Sequence, residues 1–210
     1  MSQKLEKYLE LHTTPPTKVL KELYRQTHLK TVYPRMISGH VQGRFLGLIS
    51  QMINPERILE VGTFTGYSAI ELAGGLKNGG KLITIEANEE FESLILDFVK
   101  KAGFEKQIEL VIGDAKTIIP ALDGTFDLIF LDADKAGYPG YYPMLKEKLR
   151  SGGFLIADNV LWGMKVLAEE STDQETLAII AFNKLIADDK DVEQVILPMR
   201  DGLMIVRKLV

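Results

Sequence analysis

The sequence predicts an α/β protein: a doubly wound sheet of seven strands, mostly parallel with an antiparallel last strand, preceded by a block of helices. Three observations predict it. From Arg57 onward short apolar runs alternate with amphipathic segments, the pattern of a parallel sheet with helices on both faces. The first fifty or so residues lack such runs and carry apolar residues at helical spacing instead. Near the end, the runs Val192–Leu197 and Leu203–Lys208 are separated only by Pro198-Met199-Arg200-Asp201-Gly202, too short for a crossover helix, so these strands pair antiparallel.

Each element follows in order. Val19, Leu20, Leu23 and Tyr24 recur at helical spacing after Pro15-Pro16, and Val41, Phe45, Leu48, Ile49 and Met52 do so again before Asn54-Pro55 ends the pattern. Between them, residues 33–39 form a loop. The strands are expected at 58–61, 81–86, 108–112, 126–131 and 154–157, with helices at 67–76, 89–102, 115–122 and 141–149 between them, and a further helix at 172–187 before the last two strands. We expect one domain over 1–210, with 1–55 as a helical lid and dimerisation segment and 56–210 as a Rossmann-like core.

Composition narrows the function. In 210 residues, 46% are hydrophobic and 26% charged, enough to bury a substantial core. No apolar run is long enough to cross a bilayer, and the first fifteen residues alternate charge with Leu and Tyr, unlike a signal peptide; a soluble, cytoplasmic protein is expected. The absence of cysteine excludes disulfides, thiolate metal sites and cysteine nucleophiles, and His12, His28 and His40 lack metal-type spacing. A net charge of −4 offers no general footprint for nucleic acid and favours small substrates. Lys18, Lys21, Arg25, Lys30, Arg35 and Arg44 outnumber nearby acids; they read as a solvated helix face, with a patch greeting an anionic substrate as the sharper alternative.

The loop after the first strand of the core lies in the path of a cofactor, because open parallel sheets bind ligands at the carboxyl ends of their strands. It reads Leu59-Glu60-Val61-Gly62-Thr63-Phe64-Thr65-Gly66-Tyr67-Ser68. A dinucleotide site wants Gly-x-Gly-x-x-Gly, and here Phe64 and Tyr67 occupy the second and third glycine positions, so a pyrophosphate is disfavoured. A cofactor without phosphates remains, with Glu60 and Ser68 as hydrogen-bonding groups for the charged ends of an amino-acid moiety. Glu86 ends the next strand, where its two oxygens can take both hydroxyls of a ribose.

A second site is visible downstream. Asp132 ends the run FDLIFLD, and Asp158-Asn159 end GGFLIADN, so three oxygen ligands converge at one sheet edge. Two carboxylates and an amide suit a hard cation such as Mg²⁺. A bidentate diol on an aromatic ring could take its water positions, and the metal would lower the pKa of one hydroxyl. Lys135, three residues after Asp132, can reach that hydroxyl as a base. Asp134 is either a supporting or an exposed carboxylate, and Asp127, at the other end of its strand, is structural. Trp162 is an aromatic wall for a phenolic ring or a core tryptophan, and Tyr138, Tyr141 and Tyr142 pack a helix, with one ring near the pocket.

The blocks Met36-Ile37-Ser38, LEVGTFTGYSAIELA, ITIEAN, GDA, FDLIFLDADKAGY, GGFLIADNVLW and LPMRDGLMIVRK together span nearly the whole chain. In their order they resemble the metal-dependent class I O-methyltransferases, the group that contains catechol and caffeoyl-CoA O-methyltransferases. That resemblance implies S-adenosylmethionine as cofactor, with Glu60, Gly62 and Ser68 at its methionine end, Glu86 at the ribose, Asp114 and Ala115 at the adenine, and Ser38 closing over the methionine. It implies Asp132, Asp158 and Asn159 as ligands of Mg²⁺, Mn²⁺ or Ca²⁺, with Asp132 also counted among the cofactor-facing residues. Lys135 is then the catalytic base, helped by Asp132 and Asn159, and the enzyme a homodimer through its N-terminal helices.

The expected reaction is methylation of a vicinal diphenol. Ala136-Gly137 and Gly163-Met164-Lys165 replace residues of the plant caffeoyl-CoA enzymes; this weighs against a coenzyme A ester and leaves free catechols as good or better candidates. The alternative is a hydroxyuridine in transfer RNA. An NAD-dependent oxidoreductase is disfavoured by the missing glycines, and a non-catalytic binding protein by the full set of metal and base residues.

Overall fold

All the expected strands form, in a computed structural model that describes residues 3–168 and 170–209. Residues 1, 2, 169 and 210 of the expected 1–210 domain lie outside the described residues. The strands are β1 (Arg57–Val61), β2 (Lys81–Glu86), β3 (Ile108–Ile112), β4 (Phe126–Leu131), β5 (Leu149–Asp158), β6 (Val192–Leu197) and β7 (Leu203–Lys208). The α-helices are α1 (Gln3–His12), α2 (Lys18–Lys30), α3 (Gly39–Ile53), α4 (Tyr67–Ala73), α5 (Glu92–Lys101), α6 (Ala115–Ala121), α7 (Tyr138–Lys148) and α8 (Gln174–Ala187). The strand order is β3-β2-β1-β4-β5-β7-β6. This is the expected doubly wound α/β sheet, and its order turns between β1 and β4. β7 is the antiparallel strand, pairing with both β5 and β6.

Four boundaries differ from expectation by three residues or more; one is the start of α5, at Glu92 and not 89, because residues 89–91 form a 3-10 turn. β5 begins at Leu149, not 154, because Leu149 pairs with Phe126 before a register shift leads into Leu128 and Phe154, so Ser151-Gly152-Gly153 lies inside a bulged strand. α7 starts at Tyr138, since Pro139 occupies its first turn, where a missing N–H costs nothing. α4 ends at Ala73, before Gly74-Gly75, three residues early.

The chain groups into two compact units, Met1–Glu56 with Thr63–Gly113, and Arg57–Gly62 with Asp114–Val210. In the first, β2 and β3 pair in parallel, and α3 packs on α4 through a ridge of small residues. A Cβ at Gly43 would fall 2.5 Å from the Tyr67 ring, and one at Gly47 2.8 Å from the Glu71 carboxylate. Ser50 Oγ donates to the Leu72 carbonyl at 2.7 Å, further along the same ridge. Glu71 is buried; burial raises its pKa against the opposing pull of Arg44, 3.5 Å away. The other five expected basic residues, Lys18, Lys21, Arg25, Lys30 and Arg35, are exposed.

The second unit has its core on β1, β4 and β5, whose residues 58–61, 128–131 and 155–158 are all buried. Against this core packs α7, which in turn meets α8, with the Tyr138 and Tyr142 rings edge-on to Phe182 at 5.0 and 6.1 Å. Asp127, at the start of β4, accepts from the Arg57 amide at 2.9 Å and from Arg150 Nε at 2.5 Å, a structural clamp at the far end of the strand. No helix among the described residues is long and apolar enough to cross a membrane.

Candidate active site

Within the first unit, the segment after Gly62 is pinned by hydroxyl pairs. Thr63 Oγ1 and Thr84 Oγ1 of β2 are 2.5 Å apart, and Thr65 Oγ1 lies 2.9 Å from Thr27 Oγ1 of α2, all buried. Glu86, at the end of β2, accepts the Phe64 amide on Oε2 at 2.7 Å and the Asn88 amide on Oε1 at 2.9 Å. Two backbone donors thus fix the plane of the carboxylate, and each oxygen keeps a lone pair for another donor. Phe64 adopts φ 53° and stands edge-on to Phe91 at 5.1 Å. Ser68 is buried in the first turn of α4, and Ser38 is buried at the start of α3.

In the second unit, Glu60 is wholly buried on β1, opposite Phe130 of β4. Gly62 follows with φ 98°, and a Cβ there would sit 2.1 Å from the carbonyl oxygen of Asp132. The missing side chain admits the backbone of Asp132-Ala133, and the Asp132 amide donates to the Val61 carbonyl at 2.8 Å. Asp114 is exposed and caps α6, accepting the Lys116 amide on Oδ1 at 2.9 Å, with Ala115 buried behind it.

Strand register brings the second set together. Leu131 of β4 pairs with Ala157 of β5, so Asp132 and Asp158 follow at matching levels on neighbouring parallel strands. Asp158 is 3% exposed, its Oδ1 accepting the Asn159 amide at 2.7 Å. Asn159 takes φ 60°, a left-handed conformation that asparagine tolerates better than most residues. Lys135, buried on a 3-10 turn spanning Lys135–Gly137, donates from Nζ to Asp132 Oδ1 at 2.9 Å, Ala133 O at 2.8 Å and Tyr138 Oη at 3.0 Å. Three donated bonds are the full complement of an ammonium.

Tyr138 is fully buried, and burial, reinforced by the carboxylates of Asp132 and Asp158, raises its pKa well above the usual value, so it stays a neutral phenol. Asp134 is exposed and accepts a 2.6 Å bond from Tyr141, whose pKa burial and this bond raise. The sequence reading missed two supports here. Tyr138 had a signal, its i+3 spacing from Lys135. Asp201 had none: its backbone oxygen receives the Leu161 amide at 2.9 Å, and its side chain receives that of Gly163 at 2.5 Å. Trp162 is partly exposed with φ 45°, and its Nε1 is buried without a hydrogen-bond partner.

Among the described residues no group of three or more His, Cys, Asp or Glu side chains is arranged to hold a metal ion. The set expected from the sequence differs in kind, with two carboxylates and an amide.

A family model described as O-methyltransferase matches residues 10–209. The chain belongs to the O-methyltransferase family. The expected enzyme class, S-adenosylmethionine-dependent O-methyl transfer, therefore stands. Tricin synthase 2 of Oryza sativa subsp. japonica is 36% identical over 90% of this chain and 70% of its own length. Caffeoyl-CoA O-methyltransferase 2 of Populus trichocarpa is 33% identical over 90% of this chain and 81% of its own. Among solved structures, the O-methyltransferase from Bacillus cereus, determined in complex with SAH, superposes with a TM-score of 0.92 at 29% identity, covering 98% of this chain and 97% of that one. TomG from Streptomyces achromogenes, in complex with SAM, gives 0.93 at 27% identity over the whole of both chains.

Proposed function

We propose that this O-methyltransferase moves a methyl group from S-adenosylmethionine to one hydroxyl of a vicinal diphenol with the help of a divalent cation. The observation that carries the reading is the Lys135 amine on Asp132, 2.9 Å away, at the strand end level with Asp158. The donor chemistry fits Mg²⁺, or Mn²⁺ or Ca²⁺: Asp132, Asp158 and Asn159 offer only hard oxygen, and Lys135 engages a single oxygen of Asp132. When bound, the cation supplies the Lewis acidity that makes a catechol hydroxyl acidic near neutral pH.

The chain's own residues do the rest. Ser38, Glu60, Gly62 and Ser68 would orient the methionine end of the cofactor, Glu86 its ribose, and Asp114 and Ala115 its adenine, with Asp132 also counted among the cofactor-facing residues. Lys135 takes the hydroxyl proton on Nζ, which requires the amine to arrive with one of its three hydrogen bonds given up. The phenolate oxygen then displaces the sulfonium: the S–CH₃ bond breaks as O–CH₃ forms, leaving S-adenosylhomocysteine, an aryl methyl ether and a proton. Residues 1–55 act as lid and homodimer contact in this reading.

Relatives named for caffeoyl-CoA methylation support a phenolic substrate class. The test is methyl transfer to catechol, caffeate, a caffeoyl-CoA ester and undermodified tRNA, each with Mg²⁺ or excess EDTA. Metal-dependent ethers of the free diphenols are expected. Full transfer in EDTA sinks the metal, and transfer to tRNA alone sinks the diphenol.

A further inference from the structure

Two of the three acceptors that hold Lys135 Nζ, the Asp132 carboxylate and the Ala133 carbonyl, belong to its own short loop. The third is the phenol of Tyr138 on α7, which reaches further. A phenol has one proton to give, and two carbonyls stand to receive it, Leu131 O of β4 at 3.1 Å and Asp158 O of β5 at 2.9 Å. Its lone pair is therefore the part that meets Nζ, at 3.0 Å. One oxygen atom thus touches the amine and the last backbone carbonyls of the two strands that carry Asp132 and Asp158. The ring is 0% exposed and locked edge-on to Phe182 of α8, so the phenol has no freedom to follow a moving amine.

We propose that Tyr138 is a positioning residue of the methyl-transfer reaction: its phenol fixes Lys135 Nζ and ties it to the ends of both β4 and β5. The inference rests on the reading of Lys135 as the base. Without the hydroxyl, the amine keeps its two loop acceptors but loses the tie to β5. It then samples positions away from the substrate oxygen, and a displacement of an ångström at a reacting group is enough to slow a positioned reaction by about a hundredfold.

The experiment is steady-state kinetics of the full chain, Tyr138→Phe, Lys135→Ala and the double variant, on a diphenol the unaltered chain methylates. For Tyr138→Phe, kcat falls about 30-fold while KM for the diphenol and for S-adenosylmethionine stays within about threefold, the split expected when only a reacting group is misplaced. In the Lys135→Ala background the same change alters kcat less than about twofold, because the tyrosine acts through the lysine. Unaltered kcat in Tyr138→Phe, or a full further loss in the Lys135→Ala background, overturns the proposal. A wild-type chain that methylates no diphenol sinks the underlying reading instead. Where Tyr138→Phe does not fold, ¹⁵N-lysine spectra of the wild-type chain decide: a slowly exchanging ammonium, absent in Lys135→Ala and showing a cross-peak to the Tyr138 hydroxyl proton, supports it, and a rapidly exchanging amine without that cross-peak overturns it.

Discussion

The ends of β4 and β5 carry the two halves of one proposed site and are built in opposite ways. After β4, side chains do the holding: Lys135 donates three hydrogen bonds, Tyr138 joins it to the strand ends, and Tyr141 holds Asp134 at 2.6 Å. After β5, backbone conformation does it. Asn159, Trp162, Gly163 and Met164 all take positive φ, and the segment leans on Asp201 and on Asn183, whose amide donates to the Val160 carbonyl at 2.8 Å. Non-glycine residues in the left-handed region cost of order 1–3 kcal/mol each and persist where surroundings over-determine them, often at functional sites. The difference teaches that Lys135, the proposed base, is fixed by satisfied polar contacts and Asn159, the proposed amide ligand, by a strained turn, so the two halves should break under different changes.

The largest effect is expected at the β4 end. Lys135→Ala removes the proposed base and leaves Asp132 without its counter-charge; kcat for a diphenol should fall at least about a hundredfold, with the far-ultraviolet spectrum intact. Retained turnover would move the base elsewhere. Next comes Gly62→Ala, which sets a Cβ at φ 98° where the Asp132 carbonyl lies 2.1 Å away. The backbone on both sides must shift, and urea unfolding should report a loss of about 3 kcal/mol. A loss below about 1 kcal/mol would mean that the β1 and β4 ends are less tightly locked than described.

How much of this was legible in the sequence depends on what each feature needs. The placement of Asp132, Asp158 and Asn159 at neighbouring strand ends required only knowing where an apolar run ends, because a residue there emerges at the carboxyl edge of the sheet whatever surrounds it. Lys135 required only its spacing from Asp132. The sequence marks Gly62 as a turn glycine, but that its missing side chain also makes room for the backbone of Asp132 depends on β1 and β4 being neighbours, which pattern does not reveal. The start of β5 was misread because Ser151-Gly152-Gly153 has turn chemistry, and only pairing of Leu149 with Phe126 turns it into a bulge. Asp114 also caps α6 through the Lys116 amide, a local bond that the adjoining helix start could have announced.

The alkaline limb of stability separates the two ends by titration. The Tyr141 phenol has its pKa raised in the folded chain by burial and by its bond to Asp134. A raised pKa means that the stabilisation is whole below the ordinary phenol value near 10 and is lost as pH rises towards the folded value, because the unfolded chain releases the proton first. The wild-type chain should therefore lose up to about 1.4 kcal/mol more per pH unit above pH 10 than Tyr141→Phe does. Trp162, its aromatic counterpart after β5, has no proton to release in this range, and Trp162→Phe should leave the slope unchanged. Parallel slopes for wild type and Tyr141→Phe would remove the tyrosine from the account.

The smallest effect tests whether the β5 end is held by conformation. Glycine at position 159 adopts φ 60° without steric cost, so Asn159→Gly should change unfolding free energy by no more than about 0.5 kcal/mol, whereas Asn159→Val, whose branched Cβ crowds that conformation, should lose about 1–2 kcal/mol. Both variants lack the amide oxygen. If that oxygen serves the cation, the two should lose metal-dependent turnover alike despite their different stabilities. A glycine variant as unstable as the valine one would mean that the asparagine side chain, and not its backbone, holds the turn, and the contrast between the two strand ends would fall with it.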